Sequence, residues 1–284
     1  MAGIGFELQK LVKRGSYLSY FQAFLVGTVL SSGPWLTTTA SLLVLGLYTT
    51  FALQASTARL IVATIIYGYA FSLILTGPWQ NVLTRHVADK VFEKRPTEIL
   101  PGLRTAGVII FALSLVVAAP AAAFARISAP VDNPVLFRVA AIALFVVLSE
   151  LWLLMSYVST SKTYGHVALS FLSGCAVSLA LALLAARYGS ASLALLGYGA
   201  GQLLIAASLA WQGQREYPGK GWWQTEYFAK IARYLPVALA GLFYNAGIWA
   251  DKVILWITMG TPQGASLLRT YAPYDVPTFL AFLS

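Results

Sequence analysis

The chain has 284 residues, 58% of them hydrophobic and 10% charged, against about 25% charged in an ordinary soluble domain. So few charges cannot cover a water-soluble globule, which leaves a polytopic membrane protein as the class. The net charge of +9 does not point to nucleic acid, because the basic residues cluster between apolar runs, where they act as topology signals.

The opening segment, 1–16, holds Ile4, Leu8, Leu11 and Val12 on one helical face with Lys10, Lys13 and Arg14 nearby. That pattern predicts a short amphipathic helix on the cytoplasmic membrane surface. It is not a cleavable signal, since it contains Glu7 and no small-residue cleavage site follows the next apolar run. A membrane-crossing helix takes about 20 apolar residues. By that measure seven spans and the start of an eighth are expected.

The first span runs from Tyr17 to Leu47, with Gly33–Pro34 at its middle, and the second from Leu60 to Leu83, with Gly77–Pro78–Trp79 near its far end. Proline removes a backbone donor and glycine weakens a helix, so kinks are expected there. Gly33, Pro34, Gly77 and Pro78 are then hinges of a moving bundle or packing kinks, and both readings stay open. Arg85 to Arg104, the most charged stretch, reads as a short amphipathic helix and a turn. The third span is Thr105 to Phe124, bent near Pro120, and the fourth is Val135 to Tyr157, which contains Glu150. A polar turn, Ser159 to His166, precedes the fifth and sixth spans, Val167 to Ala186 and Ser192 to Trp211. Residues 17–212 thus form a first six-span bundle, and 213–233 a cytoplasmic connection carrying Trp222, Trp223, Tyr227 and Phe228 beside basic residues, as a membrane boundary favours. Residues 234–284 begin a second bundle: a seventh span from Tyr234 to Met259, then an eighth from about Val276, cut off at Ser284. An apolar segment that short can neither cross nor be solvated, so the chain is read as a fragment of a longer polypeptide.

The seventh span echoes the first. Tyr20, Leu25, Gly27, Gly33 and Trp35 recur 214 positions later as Tyr234, Leu239, Gly241, Gly247 and Trp249. With the N-terminus inside, thirteen Lys and Arg fall on the cytoplasmic side and six elsewhere, as the positive-inside rule favours. The matched segments then cross in the same direction, as parallel repeats do.

Nothing in the sequence reads as a reaction centre. There is no Gly-rich phosphate loop and no metal-ligand spacing, the one cysteine (Cys175) lies in an apolar run, and His86 and His166 sit at cytoplasmic ends of spans. No enzyme activity, cofactor or metal is expected. Charges inside spans are the better clue, because each costs at least a few kcal/mol unless it faces a partner or a cavity. Glu150 is either a satisfied interfacial carboxylate or a site for a cation, a proton or sugar hydroxyls. Asp251 and Lys252 are either a helix-end pair with a snorkelling lysine or the lining of a cleft. Adjacent helical positions point about 100° apart, so these two need not pair. Asn245, Tyr244, Trp35 and Trp249 supply aromatic faces and hydrogen-bonding groups suited to a passage for sugars.

The opening GIGFELQKL, the SSGPW of the first span and the ADKVILW of the seventh resemble the PelG family. These are polysaccharide transporters of the MATE-like multidrug/oligosaccharidyl-lipid/polysaccharide (MOP) superfamily, in the inner-membrane part of the Pel exopolysaccharide export apparatus of biofilms. The resemblance covers the chain from its first residue to its last. It implies an all-α bundle of about twelve spans, of which this chain holds the first seven and the start of an eighth. It also implies export of a nascent amino-sugar polymer from cytoplasm to periplasm through a cleft between two bundles in the bacterial inner membrane. The partners so implied are the bilayer, the polysaccharide, a cytoplasmic glycosyltransferase and membrane-anchored regulatory subunits that include a cyclic di-GMP receptor. The alternatives are a lipid-linked oligosaccharide flippase, or a multidrug antiporter with Glu150 or Asp251 as its coupling carboxylate.

Overall fold

The computed structural model describes residues 16–158, 164–217, 219–224, 226, 227 and 233–281, and among these it is nearly all helix. The surface helix expected over 1–16 lies almost wholly outside the described residues.

Eight helices follow in chain order. They are α1 (Tyr17–Ala52), α2 (Ala55–Phe92), α3 (Ile99–Phe124), α4 (Pro134–Val158), α5 (Tyr164–Arg187), α6 (Ala191–Glu216), α7 (Leu235–Thr258) and α8 (Ala272–Ala281). A lipid interior offers no partner for backbone N–H and C=O groups, so apolar runs of this length must close their hydrogen bonds internally, as helices do. Among the described residues six helices are long and apolar enough to cross a membrane, drawn from α1 to α6. The chain is therefore a multi-pass membrane protein. The seventh expected span, α7, has 24 residues. It is not among the six, because Asn245, Asp251 and Lys252 dilute its hydropathy. Large side chains such as Phe51, Val116 and Leu172 stand exposed around the bundle, where lipid contacts them.

Two expectations about the backbone are corrected. Arg85 to Arg104 holds no separate amphipathic helix: α2 continues to Phe92, one 3-10 turn spans Pro96–Glu98, and α3 starts at Ile99. Lys94 ends α2 in a left-handed conformation, φ 59°, and Pro101 is accepted in the first turn of α3, where its missing N–H has no helical partner to lose. The sixth span also runs past Trp211 to Glu216. All three proline expectations meet continuous helix, α1 across Gly33–Pro34, α2 across Gly77–Pro78 and α3 across Pro120.

Helix α4 sits between α2, α3 and α6, with α5 between α6 and α1. Two buried clusters fill the bundle. One joins Leu83, Ile99, Tyr157, Ile205 and Leu209, the other Leu60, Ile65, Leu144, Leu195 and Tyr198, and Trp152 packs against both. Helix α7 lies along α2. Their contacts run from Tyr234–Asp89 (hydroxyl to Oδ2, 2.7 Å) through Asn81–Val237 and Asn245–Leu73 to stacked Tyr67 and Trp256 rings 4.7 Å apart.

Between α7 and α8 a short hairpin pairs β1 (Thr261–Pro262) with β2 (Arg269–Thr270). The connection from α6 to α7 folds back onto the α2–α3 corner, where Arg104 donates to the Gly221 carbonyl at 2.7 Å and the Gln224 N–H to Thr105 Oγ1 at 2.9 Å.

Candidate functional site: a cavity between α1 and α7

A cavity of about 530 Å³ opens between α1, α2, α4, α5, α7 and α8. Its walls are chiefly apolar and aromatic, with Trp35 from α1, Tyr69 from α2, Trp152 from α4, Phe171 from α5, Trp249 and Trp256 from α7, and Phe279 from α8. Hydroxyls enter from Thr38, Thr39, Thr50, Thr270 and Thr278, and charge, among the described residues, from Lys252 and Asp275. An apolar chamber with a few convergent polar groups is the common form of a binding site for a small or extended ligand.

The α7–α8 side carries its polar groups in a chain of contacts. Lys252 is 8% exposed, and its ammonium lies 3.4 Å from both carboxylate oxygens of Asp251, 5.5 Å from the Trp249 ring centre and 5.9 Å from that of Tyr274. The hydroxyl of Tyr274 donates to Asp251 Oδ2, while Trp256 Nε1 reaches both oxygens of Asp275 at 3.0 Å. Tyr271 N–H closes on the same carboxylate at 2.8 Å. A single buried cation is thus held by aromatic faces and an adjacent carboxylate, which offsets the cost of burying it.

Behind Tyr69 and Trp152 of the opposite wall lies a buried polar network. Tyr69 and Tyr198 share a hydrogen bond of 3.1 Å, Ser178 donates to the Tyr198 carbonyl at 2.8 Å, and Gln202 donates to Ser178 at 3.1 Å. Trp152 Nε1 donates to Ser72 Oγ at 3.0 Å. Buried polar groups of this kind are retained when each finds a partner.

The seven expected cleft residues divide. Trp35, Trp249 and Lys252 line the cavity, so the two tryptophans matched at the 214-residue offset meet at one chamber. Asp251 is exposed and adjoins the cavity through Lys252; the two do pair, because the ammonium curls back onto the neighbouring carboxylate. Asn245 is buried at the α2–α7 contact, where its amide donates to the Leu73 carbonyl at 3.2 Å. Tyr244 is 70% exposed. Glu150 faces α3 rather than the cavity: its Oε2 lies 3.3 Å from where a Cβ on Gly107 would stand, and its buried Oε1 has no hydrogen-bond partner among the described residues. Of the four expected hinge residues, Gly77 marks the α2–α7 crossing, while Pro78 lies inside α2 and Gly33–Pro34 inside α1. Asp275, Tyr274, Trp256, Tyr69 and Trp152 were not singled out from the sequence. Trp256 alone had a signal, since it ends the ADKVILW segment.

A comparison with known families matches residues 1–284, the whole chain, to the family described as "PelG: Putative exopolysaccharide Exporter (EPS-E)". Neither a curated protein nor a solved structure matches the chain.

Proposed function

The chain belongs to the PelG family of exopolysaccharide exporters, and from that premise we propose that it conducts a nascent exopolysaccharide from cytoplasm to periplasm through the cavity between α1 and α7. The family is one of exporters, not of enzymes, and its cargo is a polysaccharide in a membrane setting.

The observation that carries the reading is the convergence of Trp35 and Trp249 on one chamber. A sugar ring presents an apolar C–H face and a rim of hydroxyls. Flat indoles with scattered threonine hydroxyls hold such a ring without fixing it, which suits a chain that must slide. The lining balances Lys252 against Asp275, which suits a neutral or amino-sugar polymer better than a strongly anionic one. The bacterial inner membrane and a cytoplasmic N-terminus belong to the same proposal, supported by the thirteen-to-six distribution of Lys and Arg. So do a glycosyltransferase that feeds the inner end and regulatory subunits, one of them a cyclic di-GMP receptor. No covalent chemistry is assigned to the chain itself.

Glu150 supports a second reading. A carboxylate inside a span with one buried, unpartnered oxygen is a feature of proton-coupled carriers. Glu150→Gln then abolishes coupling, whereas the export reading without coupling leaves it silent.

The test is export by cells carrying Trp35→Ala or Lys252→Met as the sole copy. The reading expects extracellular polymer to fall at least tenfold with membrane levels unchanged. Wild-type export by both variants removes the cavity from the route.

A further inference from the structure

We propose that the β1–β2 hairpin is a clasp that shuts the outer end of the cavity, and that its release from the α3–α4 connection is the step that lets cargo leave. The inference rests on the export reading above and adds to it the site of the gate.

The hairpin comes from the second part of the repeat yet bonds to the first. Gly264 carbonyl accepts from the N–H groups of Ser128 (2.9 Å) and Ala129 (3.0 Å), and Ser266 N–H donates to the Arg126 carbonyl at 3.0 Å. Arg126 N–H returns to Ser266 Oγ at 3.1 Å, and Ile127 pairs with Ala265 as an antiparallel bridge. On α2, the Tyr67 hydroxyl donates to the Arg269 carbonyl at 2.7 Å and accepts from its N–H at 3.0 Å.

Position and chemistry both favour a clasp over a mere turn. Thr270, the last strand residue, lines the cavity, and the chain passes from it directly into α8, whose Asp275, Val276, Thr278 and Phe279 form one wall. Movement of the hairpin therefore moves that wall. The seam is also reversible by nature. It is made chiefly of backbone hydrogen bonds between loops, groups that water satisfies equally well once they part. Gly264 seats the hairpin closely: it holds φ +70°, and an added Cβ would lie 2.9 Å from those of Ala129 and Leu60. Only glycine combines that conformation with that approach. Along the rest of α2 the join to α7 is continuous helix packing, with the close Gly77–Gly241 backbone approach, side-chain hydrogen bonds and stacked rings, so the outer seam is the place where a small number of bonds governs access.

Two measurements test the clasp in cells that carry the protein as sole copy, in a Cys175→Ser background. The first joins Ile127→Cys to Ala265→Cys, with oxidation or a short reducible bis-thiosulfonate. Export is expected to fall at least tenfold on cross-linking and to return on reduction, with each single variant near wild type. Full export by quantitatively cross-linked protein overturns the clasp. That outcome leaves the cavity reading standing, since the latter is tested separately by Trp35→Ala and Lys252→Met. The second uses Ala265→Cys alone. Ala265 is 2% exposed, so a membrane-impermeant maleimide is expected to react at least fivefold faster during polymer synthesis than at rest. Equal rates overturn the proposal.

Discussion

Gly77 and Gly241 meet backbone to backbone where α2 crosses α7: a Cβ built on Gly77 would stand 2.6 Å from the Gly241 carbonyl oxygen and 2.6 Å from the Asn245 amide nitrogen. Two helices approach this closely in lipid when small residues clear the way, because packing rather than water exclusion drives them together. The crossing also places Asn245 on the Leu73 carbonyl, so one contact fixes the register of α7 on α2.

Gly77→Ala sets two effects against each other. Alanine favours a helix interior by about 1 kcal/mol over glycine, but its methyl meets backbone that cannot turn aside, a misfit of about 1–3 kcal/mol. The misfit wins, and a lower unfolding midpoint in detergent is expected. Gly247, also in α7, has open space around it, so Gly247→Ala is expected to leave the midpoint unchanged or raise it. A midpoint for Gly77→Ala above wild type would place the crossing elsewhere.

Lys90 at the α2 terminus is fully buried and gathers three carboxylates, Glu98 at 2.5 Å, Glu226 at 2.8 Å and Glu93 at 3.3 Å. It pins the α6–α7 connection to the α2–α3 corner. Lys90→Met leaves those carboxylates facing one another. They are 35–47% exposed, so water compensates in part and the loss is about 1–3 kcal/mol rather than that of a fully buried pair. Faster limited proteolysis within residues 219–227 is the expected signature, and an unchanged cleavage rate would contradict it.

Asp132 receives Ser190 Oγ at 2.7 Å, Ser192 N–H at 3.0 Å and Ser192 Oγ at 3.1 Å, at the start of α6. Partial burial pushes its carboxyl up, but these hydrogen bonds outweigh it and hold the group below the usual carboxylate range. A pKa depressed by folding stabilises the folded state above the unfolded value, and that stability is lost as pH falls through the folded one. The unfolding midpoint is expected to drop more steeply between about pH 5 and pH 3 in wild type than in Asp132→Asn. Parallel pH profiles would exclude the cap.

The helices were legible because span length and apolar content are read one residue at a time. The same reading found Trp35 and Trp249 through their shared offset, and Lys252 through its cost in lipid. It did not reach Asp275, which lines the cavity, or Tyr274, which contacts Asp251 beside it; both follow from the hairpin bringing α8 back against α7. Tyr69 and Trp152 look like ordinary core aromatics until the Tyr198 and Ser72 hydroxyls are seen beside them. Glu150 and Asn245 show the limit of an argument from polarity. One faces Gly107 and the other serves the α2–α7 contact, and only tertiary packing tells such positions from cavity lining.

The most direct test of the account is chemical block of the chamber. Thr50 lines the cavity and is exposed, so Thr50→Cys in a Cys175→Ser background offers a single thiol at the mouth. Labelling from the outer face with a bulky, membrane-impermeant thiosulfonate is predicted to stop polymer export in proportion to the fraction labelled, and reduction to restore it. Undiminished export by fully labelled protein would contradict passage of the polymer through this cavity.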